Sequence, residues 1–509
     1  MSNDTLHIGE RRLTIDDIVA VARAGQKVAI APAAQARIKK GRAVLDRALV
    51  EGQKVYGMTT GLGAGVDTKV SAESNLEYQK RIVRARSVGV GEPLAEEQVR
   101  AIMATRISNA SSGGGGIALH VVEAIAALLN QRIHPVVPSH GSYGMGDLAP
   151  LAHIALVLIG EGKADTAKGQ VPGAAALADA GLSPVALASK DGLATLVTNS
   201  ATTGLAALTI RDCQFVFEAQ LAAAALSWEG FRCSLSSVDP RIQGHRPHRG
   251  QTRVAALFRS FFEGGALVDP ASARRLQDPL GFRCVSHTMG AVLERLEAAR
   301  ATTELELNAS GDNPSILIDE GEIVPSAHFD TTAIALDFES LALGFAHAAN
   351  ASVMRLLKLM SPVYSDLPRF LTSGDGSYTG FATVQKTAGA MEAMIWREAQ
   401  PIGRHSAPVA DGVEDVTTFA TEGVLRFGPL LDYYRHLIAI ELIVAAQAID
   451  LRGVADRLGR DTNRFYQTVR ASIPRLDDDR PMGPEFDLIT DSIKSGEFPV
   501  GMDWGKAQP

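Results

Sequence analysis

The sequence has few cysteines, and the apolar run at 333–360 is interrupted by charges. Its 509 residues include three cysteines, which are too few and too irregularly spaced for a disulfide framework or a zinc site. Asp337, Glu339, Arg355 and Lys358 lie within the run, which excludes a membrane-spanning helix there. The twelve histidines form no His-Glu-x-x-His motif, so the sequence does not indicate a catalytic metal.

Positive charge is not in excess either. There are 50 lysines and arginines against 57 aspartates and glutamates, a net charge of -7, so neither nucleic acid nor an anionic membrane is expected as a partner. The basic run at 241–253 stands in an acidic chain, which favours a structural role. Residues 1–12 have no apolar core, so we expect no secretory signal and a cytoplasmic location.

What the sequence does contain is helical periodicity. Thr14 and Asp17 predict the start of a first helix, and Gly25 predicts its end. We predict a mainly α fold, with a loop-rich N-terminal domain at 1–200 and a long-helix bundle with a C-terminal extension at 201–509. Further helices are predicted at 34–50, 72–86, 95–109, 118–132, 148–160, 203–230, 331–361 and 430–451, and one hairpin within 162–187.

Two glycine-rich loops interrupt the predicted helices. The first, 55–63, reads Val-Tyr-Gly-Met-Thr-Thr-Gly-Leu-Gly and is too rich in glycine for a helix or strand. No Gly-Lys-Ser/Thr follows it, which disfavours a phosphate-binding loop. The second, 140–153, reads His-Gly-Ser-Tyr-Gly-Met-Gly-Asp-Leu-Ala-Pro-Leu-Ala-His and leads into a predicted helix at Asp147.

These loops resemble motifs of the aromatic amino acid ammonia-lyases, the family of histidine, phenylalanine and tyrosine ammonia-lyases. The first is similar to the family's Tyr-Gly-x-x-Thr-Gly-Phe-Gly and the second to Gly-Ser-x-Gly-Ala-Ser-Gly-Asp-Leu-x-Pro-Leu-Ala-His. Residues 277–284 resemble Gln-Asp-x-Tyr-Ser-x-Arg-Cys, and 306–314 resemble Glu-x-Asn-x-x-x-Asp-Asn-Pro. The resemblance implies the histidine ammonia-lyase type of helical fold and a homotetramer whose active sites combine residues from three subunits.

The sequence departs from the family where the family's chemistry begins. In the family, the Ala-Ser-Gly tripeptide cyclises and loses water to form a methylidene-imidazolone, the electrophile that captures the substrate's amine. Here Gly144 is followed by Met145, Gly146 and Asp147, so the loop is one residue shorter and has no serine to dehydrate. The tyrosine of the 277–284 motif is replaced by Leu280. We therefore expect no prosthetic group and no other cofactor.

The resemblance assigns roles to residues of a substrate site. Tyr56 is the catalytic base, and Arg283 anchors the substrate carboxylate, a role that suits a bidentate guanidinium. Glu414 is a carboxylate suited to an imidazole N–H, although a structural ion pair is an alternative for it. The other predicted substrate-binding residues are Asn199, Asn313, Phe329, Tyr143 and Met145.

Three cations occupy positions where the family has other residues. Arg84 and Arg86 lie at or beside the family's selectivity pair, and Lys386 lies at a usually apolar position. Each of the three is also compatible with a solvated helix face. We predict that Arg86 and Lys386 bind substrate, whereas the sequence leaves open which of Arg84 and Arg86 faces the pocket.

A missing electrophile limits the reaction. An amine is a poor leaving group until its nitrogen is cationic, whereas a quaternary trimethylammonium already leaves as a neutral amine. The sequence resembles the ergothionase branch of the family, which implies a betaine substrate and elimination of trimethylamine from ergothioneine to give thiolurocanate. The alternatives are a histidine- or tyrosine-type ammonia-lyase and an inactive binding or assembly protein. The joint presence of Tyr56, Arg283 and Glu414 argues against inactivity.

Overall fold

The computed structural model of the protein describes residues 5–71, 74–372, 374–403 and 407–504. The fold is mainly α, and this prediction from the sequence is confirmed. The helices are α1 (Ile15–Arg23), α2 (Pro32–Val50), α3 (Asn75–Arg86), α4 (Glu96–Ala110), α5 (Leu119–Asn130), α6 (Leu148–Leu158), α7 (Gly173–Asp179), α8 (Asp191–Leu196), α9 (Ser200–Phe231), α10 (Pro240–Gly244), α11 (Arg249–Ser260), α12 (Leu280–Arg283), α13 (Val285–Leu307), α14 (Thr332–Leu359), α15 (Pro362–Ser365), α16 (Val384–Glu398), α17 (Ala420–Leu425), α18 (Phe427–Arg452), α19 (Arg460–Ser472) and α20 (Gly483–Lys494).

The strands of the described residues are short and form four small sheets. They are β1 (Leu6–Ile8), β2 (Val28–Ile30), β3 (Val90–Pro93), β4 (His134–Pro135), β5 (Pro138–His140), β6 (Lys163–Thr166), β7 (Gly169–Pro172), β8 (Ser315–Leu317) and β9 (Glu322–Val324). β1 pairs with β2 in parallel, while β3 pairs with β5, β6 with β4 and β7, and β8 with β9, all antiparallel. The hairpin predicted within 162–187 is β6–β7, and the helix α7, which was not predicted, follows it.

Local sequence signals account for the helix ends. The Thr14 side chain accepts from the Asp17 backbone N–H, and the Asp17 carboxylate accepts from the Thr14 N–H, which is a complete capping box at the start of α1. Gly25 follows the last turn with φ of +69°, a conformation that glycine adopts without strain. α14 ends at Leu359, two residues before the predicted end, and Ser361 is extended, the conformation that Pro362 favours in the residue before it.

The chain forms two compact units, each made of three segments. The first unit comprises Met1–Arg211, Arg300–Leu336 and Pro401–Leu425, and the second comprises Asp212–Ala299, Asp337–Gln400 and Arg426–Pro509. Both units therefore draw on distant parts of the chain. The linear division at residue 200 stays a prediction.

One stretch of the described residues, Asp191–Phe231, is long and apolar enough to span a membrane by length and composition. Of its most apolar window, 94% is buried within the protein, as expected of a core helix in a large helical fold.

The Glu229 carboxyl group is buried in the second unit. Its hydrogen-bond partners among the described residues are uncharged. Glu229 on α9 is 3% exposed, and its Oε1 accepts hydrogen bonds from Thr462 Oγ1 at 2.7 Å and from the Gly459 N–H at 3.2 Å. Burial raises the pKa of Glu229 from 4.5 to about 7, because the charged form loses its hydration. The two hydrogen bonds act in the opposite direction but do not cancel the effect.

We expect Glu229→Gln to remove part of the pH dependence of unfolding. The raised pKa stabilises the fold fully below pH 4.5, and this contribution is lost as the pH rises to about 7. The free energy of unfolding of the variant relative to wild type should therefore rise by about 3 kcal/mol across this range and then level off. Urea unfolding at several pH values measures the difference. Glu263→Gln, at an exposed carboxylate of the same unit, is the control, and an equal response of both variants would contradict the assignment.

Candidate active site

The first glycine-rich loop is held in place by buried side chains on both sides of Tyr56. Val55 and Met58 are 2% and 1% exposed and belong to an apolar cluster with Val44 and Leu45 of α2 and Ile316 of β8. Burying each such side chain contributes about 1.5–3 kcal/mol. Tyr56, between them, is left half-buried. The loop is thus anchored by its neighbours in sequence while the tyrosine side chain is free to serve the site.

Backbone geometry explains two features of this loop. Gly57 has φ of +68°, and a Cβ there would lie 2.3 Å from the Leu193 side chain, so only glycine fits. The Gly63 N–H donates a hydrogen bond to the Tyr56 hydroxyl oxygen at 2.8 Å. This donor points at the atom that carries the negative charge when the phenol loses its proton.

The pKa of a second tyrosine, Tyr78, depends on Tyr56 and on the charge of Arg86. Burial raises the pKa of Tyr78 on α3, while the positive charge of Arg86 lowers it and Tyr56 raises it. The Tyr78 hydroxyl lies 3.5 Å from the Thr60 carbonyl oxygen. Arg86 and Tyr56 therefore both lie within electrostatic reach of one hydroxyl group.

The second glycine-rich loop is fixed through its backbone. Met145 pairs in an antiparallel bridge with Asp330, and the Gly146 N–H donates to the Phe329 carbonyl at 3.1 Å. The Gly144 carbonyl accepts from Thr331 Oγ1 at 2.5 Å and from Thr418 Oγ1 at 3.0 Å. These bonds hold the Met145 backbone on both sides.

Gly144 is required at its position for a steric reason. Its φ is +78°, and a Cβ there would lie 2.3 Å from Thr418 Oγ1 and 2.8 Å from the Phe419 nitrogen. A larger residue would break the contact that holds the Gly144 carbonyl. The glycine therefore permits the close approach of the loop to residues 418–419.

Asp147 anchors the end of the same loop from a fully buried position. Its carboxylate accepts from the Thr202 N–H at 2.7 Å and from three hydroxyl groups, those of Thr202, Ser142 and Thr421, at 2.8 to 3.1 Å. Burial raises the pKa of Asp147, and these four hydrogen bonds act against that rise. The carboxylate makes no capping bond to α6, which it precedes, and instead caps the N-terminal turn of α9.

The residues of this loop do not fit the prosthetic group of the family. Between Gly144 and Asp147 stand Met145 and Gly146, neither of which has a hydroxyl that can be lost as water. The nearest serine, Ser142, is 8% exposed, and its hydroxyl donates to Asp147. The chain therefore has no residue here from which a dehydrated electrophile can form.

Asn313 lies in a segment supported by buried charges. Its Oδ1 accepts from the Ser326 N–H at 2.9 Å. Next to it, the buried Lys190 ammonium donates to the Pro314 carbonyl at 3.2 Å and lies 3.6 Å from the Asp312 carboxylate. Arg106 is 3.7 Å from the same carboxylate. Two cations and one anion thus lie behind the segment that presents Asn313.

A loop with three carboxylates also lines the site. Asp411, Glu414 and Asp415 are exposed, and Glu414 pairs with Val409 in an antiparallel bridge. Ala410 and Asp411 have φ of +51° and +59°, which is a strained conformation for residues other than glycine. Such strain is typical of functional loops that the surrounding structure holds in place.

These elements enclose a cavity of about 840 Å³ in the first unit. Six of the ten predicted site residues line it, namely Tyr56, Arg86, Met145, Asn313, Phe329 and Glu414. The lining that the sequence analysis did not single out consists of Leu62, Gly63, Ala64, Gly65, Val66, Leu148, Leu193, Val197, Ala327, Asp330, Ala410, Asp411, Val413, Asp415 and Val416. Many of these residues lie close in sequence to the predicted ones. This closeness is the sequence signal that could have identified them.

The two arginines at the end of α3 have different surroundings. Arg84 pairs with Glu161 at 2.7 Å and with Glu77 at 3.0 Å at the surface. Arg86 lines the cavity, and its guanidinium makes no ion pair or hydrogen bond with any residue that the structure describes. Of the two, Arg86 is therefore the cation with a guanidinium available to a ligand.

Two predicted residues lie in the first unit but outside the cavity lining. Asn199 is 3% exposed, and its amide nitrogen lies 3.3 Å from the Asp330 carbonyl and 3.4 Å from the His328 carbonyl. The Tyr143 ring packs edge-on against Phe419, and its hydroxyl donates to the Ala407 carbonyl. In these positions the Asn199 and Tyr143 side chains contact segments next to the cavity rather than the cavity itself.

Arg283 and Lys386 belong to the second unit. Arg283 ends α12, and its Nη1 donates to Gln277 Oε1 at 3.0 Å. Lys386 lies exposed in the first turn of α16. Leu280, which replaces the family's tyrosine, is 62% exposed.

Comparisons with known proteins agree with the resemblance seen in the sequence. A family model described as aromatic amino acid lyase matches residues 13–471. The histidine ammonia-lyase of Caldanaerobacter subterraneus subsp. tengcongensis is 34% identical over 492 residues, which are 96% of this chain and 97% of that protein.

Solved structures show the same fold. The ergothionase from Treponema denticola, solved in complex with desmethyl-ergothioneine sulfonic acid, superposes with a TM-score of 0.92 at 31% identity and covers 97% of this chain and 99% of its own. The histidine ammonia-lyase from Trypanosoma cruzi superposes with a TM-score of 0.89 at 29% identity, covering 97% and 94%. The chain therefore belongs to the aromatic amino acid lyase family and is a carbon–nitrogen lyase of the ammonia-lyase superfamily.

Proposed function

We propose that the enzyme eliminates trimethylamine from a histidine-derived betaine, converting ergothioneine to thiolurocanate. The observation that carries this proposal is Met145, which occupies the place of the electrophile-forming residues in a loop one residue shorter than the family's. The likeness to the Treponema denticola ergothionase supports it. We place the enzyme in the cytoplasm.

The chemistry follows from the leaving group. A base removes the proton from Cβ, the electron pair of the C–H bond forms the Cα=Cβ double bond, and the C–N bond breaks with its pair on nitrogen. Trimethylamine leaves as a neutral molecule, so no electrophile has to activate the nitrogen. An unprotonated primary amine would have to leave as a strongly basic amide anion, so its nitrogen must first become cationic, whereas the quaternary nitrogen is cationic at every pH.

Tyr56 is the base in this proposal. Its oxygen accepts the Gly63 N–H, and this hydrogen bond stabilises the phenolate that takes the proton. Arg86 supplies positive charge on the same cavity wall. A positioned general base contributes about 10²–10⁴ in rate, which is the share of the acceleration assigned to Tyr56.

The ring and the ammonium group are held by different parts of the cavity. Glu414 accepts a ring N–H of the thioimidazole, and Arg86 with Lys386 stabilises the negative charge on the thione sulfur as electrons move into the ring. Phe329 presents an aromatic face to the trimethylammonium, to which it binds by a cation–π contact. Met145 fills part of the space that an electrophile takes up in other family members.

The substrate carboxylate requires a further cation. Arg283 forms a bidentate pair with it, and Asn313 adds a hydrogen bond. Arg283 and Lys386 are supplied by neighbouring subunits of a homotetramer in this proposal, as the family resemblance implies. Each active site is then complete only in the assembled enzyme.

Histidine ammonia-lyase activity is the second candidate, because the curated relatives carry that name and Glu414 suits an imidazole ring. It requires a way to activate a primary amine at a loop without a dehydratable serine. The two candidates differ in the amine released, which is ammonia from histidine and trimethylamine from ergothioneine.

We expect the purified enzyme to release trimethylamine from ergothioneine and no ammonia from histidine, and Tyr56→Phe to lower kcat by about 10²–10⁴ because the base is lost. Ultraviolet absorbance follows the conjugated acrylate product, and mass spectrometry identifies the amine. Tyr78→Phe, which removes a hydroxyl outside the cavity lining of the same unit, is the control and should change kcat less than about threefold. Ammonia released from histidine at a comparable rate would overturn the proposal.

We also expect the length of the Met145 loop to determine which amines are accepted. Replacing Met145 with Ala-Ser restores the family's tripeptide, adds one residue to the loop and takes back the space for trimethylammonium. Turnover of ergothioneine should fall at least about tenfold, a loss of about 1.4 kcal/mol in transition-state binding. Met145→Leu, of similar volume, should stay within about threefold of wild type. Equal rates for both variants would show that the loop does not contact the ammonium group.

A further inference from the structure

We infer that the buried pair Arg355–Glu441 positions Arg283, the proposed anchor of the substrate carboxylate. The inference rests on the proposed function for the role of Arg283. It assigns a positioning role to two residues that make no contact with substrate themselves.

Arg283 has few contacts of its own to orient it. Its Nη1 donates to Gln277 Oε1 at 3.0 Å, and its Nε is buried with no hydrogen-bond partner among the described residues. It ends the four-residue helix α12, whose Phe282 is fully buried and stacks on Phe231 with ring centroids 4.3 Å apart. The direction of the guanidinium therefore depends on how the α12 turn is held.

The Arg355 side chain holds this turn by a hydrogen bond to the backbone of α12. Its Nη1 donates to the Gly281 carbonyl, within α12, at 3.0 Å. The two elements are in close contact, because a Cβ on Gly281 would lie 3.3 Å from Met354 Cβ and 3.4 Å from the Ala351 carbonyl of α14. The glycine thus lets α12 lie directly on the turn of α14 from which Arg355 extends.

Glu441 in turn fixes Arg355. The Arg355 Nε and Nη2 donate to the two Glu441 carboxylate oxygens at 2.6 and 2.9 Å, and the side chains are 3% and 0% exposed. Glu441 also accepts from Gln220, Ser227 and Ser352 at 2.5 to 3.0 Å. With these partners the guanidinium has one orientation, in which Nη1 points at Gly281.

The energetics favour a positioning role over a purely stabilising one. Burying two charges costs several kcal/mol per ion, and apolar residues of similar volume often stabilise a core as well or better. A charged pair is useful where a fixed direction is needed, since a bidentate guanidinium is rigid and its remaining N–H groups point in set directions. Here one of these N–H groups bonds to the backbone two residues before Arg283.

Arg355→Lys tests the inference without leaving Glu441 unpaired. Lysine keeps the positive charge, but a single ammonium lacks the planar fork that reaches both Glu441 and the Gly281 carbonyl. The matched control is Arg470→Lys in the same unit, because Arg470 also bonds to one carboxylate, Asp450, at 2.5 Å and to one backbone carbonyl, that of Ile473, at 3.0 Å. Arg470 lies on α19, and neither of these two hydrogen bonds involves α12.

Kinetics of the full-length enzyme give the first readout. Arg355→Lys should raise KM for ergothioneine about tenfold and change kcat less than about threefold, since binding of the carboxylate is affected and the elimination step is not. The effect should be absent with the carboxamide of the same betaine and in the Arg283→Gln background, while Arg470→Lys should leave KM unchanged. An unchanged KM in Arg355→Lys overturns the inference.

Thiol labelling gives a second readout that needs no substrate. Cys284 follows Arg283 and is half-buried, whereas Cys213 and Cys233 are fully buried. Labelling of Cys284 should be several times faster in Arg355→Lys than in wild type or Arg470→Lys, and Cys284→Ser should abolish it. Equal labelling rates overturn the claim that Arg355 holds the turn.

The two readouts separate the inference from the proposed function. Wild-type turnover of ergothioneine with an unchanged KM and labelling rate in Arg355→Lys refutes the inference alone. Absence of wild-type turnover refutes the proposed function, and the labelling rates then decide whether Arg355 positions the turn. If Arg355→Lys does not fold, as judged by circular dichroism, the double variant Arg355→Met with Glu441→Gln removes both charges and is measured in the same way.

Discussion

The buried Asp147 carboxylate is the interaction on which the first unit depends. It binds four donors from three separate segments, the Ser142 loop, the start of α9 and Thr421 of α17. Burial removes the hydration of this carboxylate, and the four hydrogen bonds replace it. The same four hydrogen bonds tie the Met145 loop to the start of α9 and to α17.

Because this anchor holds the loop ends, the short Gly144–Gly146 segment has a defined position without a covalent ring. Thr331 and Thr418 hold the Gly144 carbonyl, and Phe329 holds the Gly146 N–H. The Met145 side chain is thereby directed along the cavity lining. A loop that has no dehydratable serine but is rigidly placed is compatible with a substrate whose leaving group needs no activation, and this is the basis of the proposed betaine chemistry.

The electrostatics of the cavity are divided in a way that suits a zwitterion. Asp411, Glu414 and Asp415 lie on one loop, whereas Arg86, whose guanidinium has no ion-pair partner in the described part of the chain, and the Asn313 segment, backed by Lys190, lie on other elements. Charges held at fixed and separate places orient a ligand with charges of both signs more strongly than they bind it. In the proposed mechanism the substrate carboxylate is bound mainly by Arg283. The residues that orient the Arg283 guanidinium therefore affect substrate binding.

The sequence by itself determined the fold class, the family and the absence of a dehydratable serine from the Met145 loop, because helical periodicity, motif spacing and residue identity are local properties of the chain. It also predicted six residues of the cavity lining. Only the tertiary structure distinguished Arg84 from Arg86, since both end the same helix but Arg84 pairs with Glu161 at the surface whereas Arg86 lines the cavity. It likewise placed Asn199 and Tyr143 behind the wall and joined Asp147 to α9, because these contacts connect residues more than fifty positions apart and no local pattern encodes them.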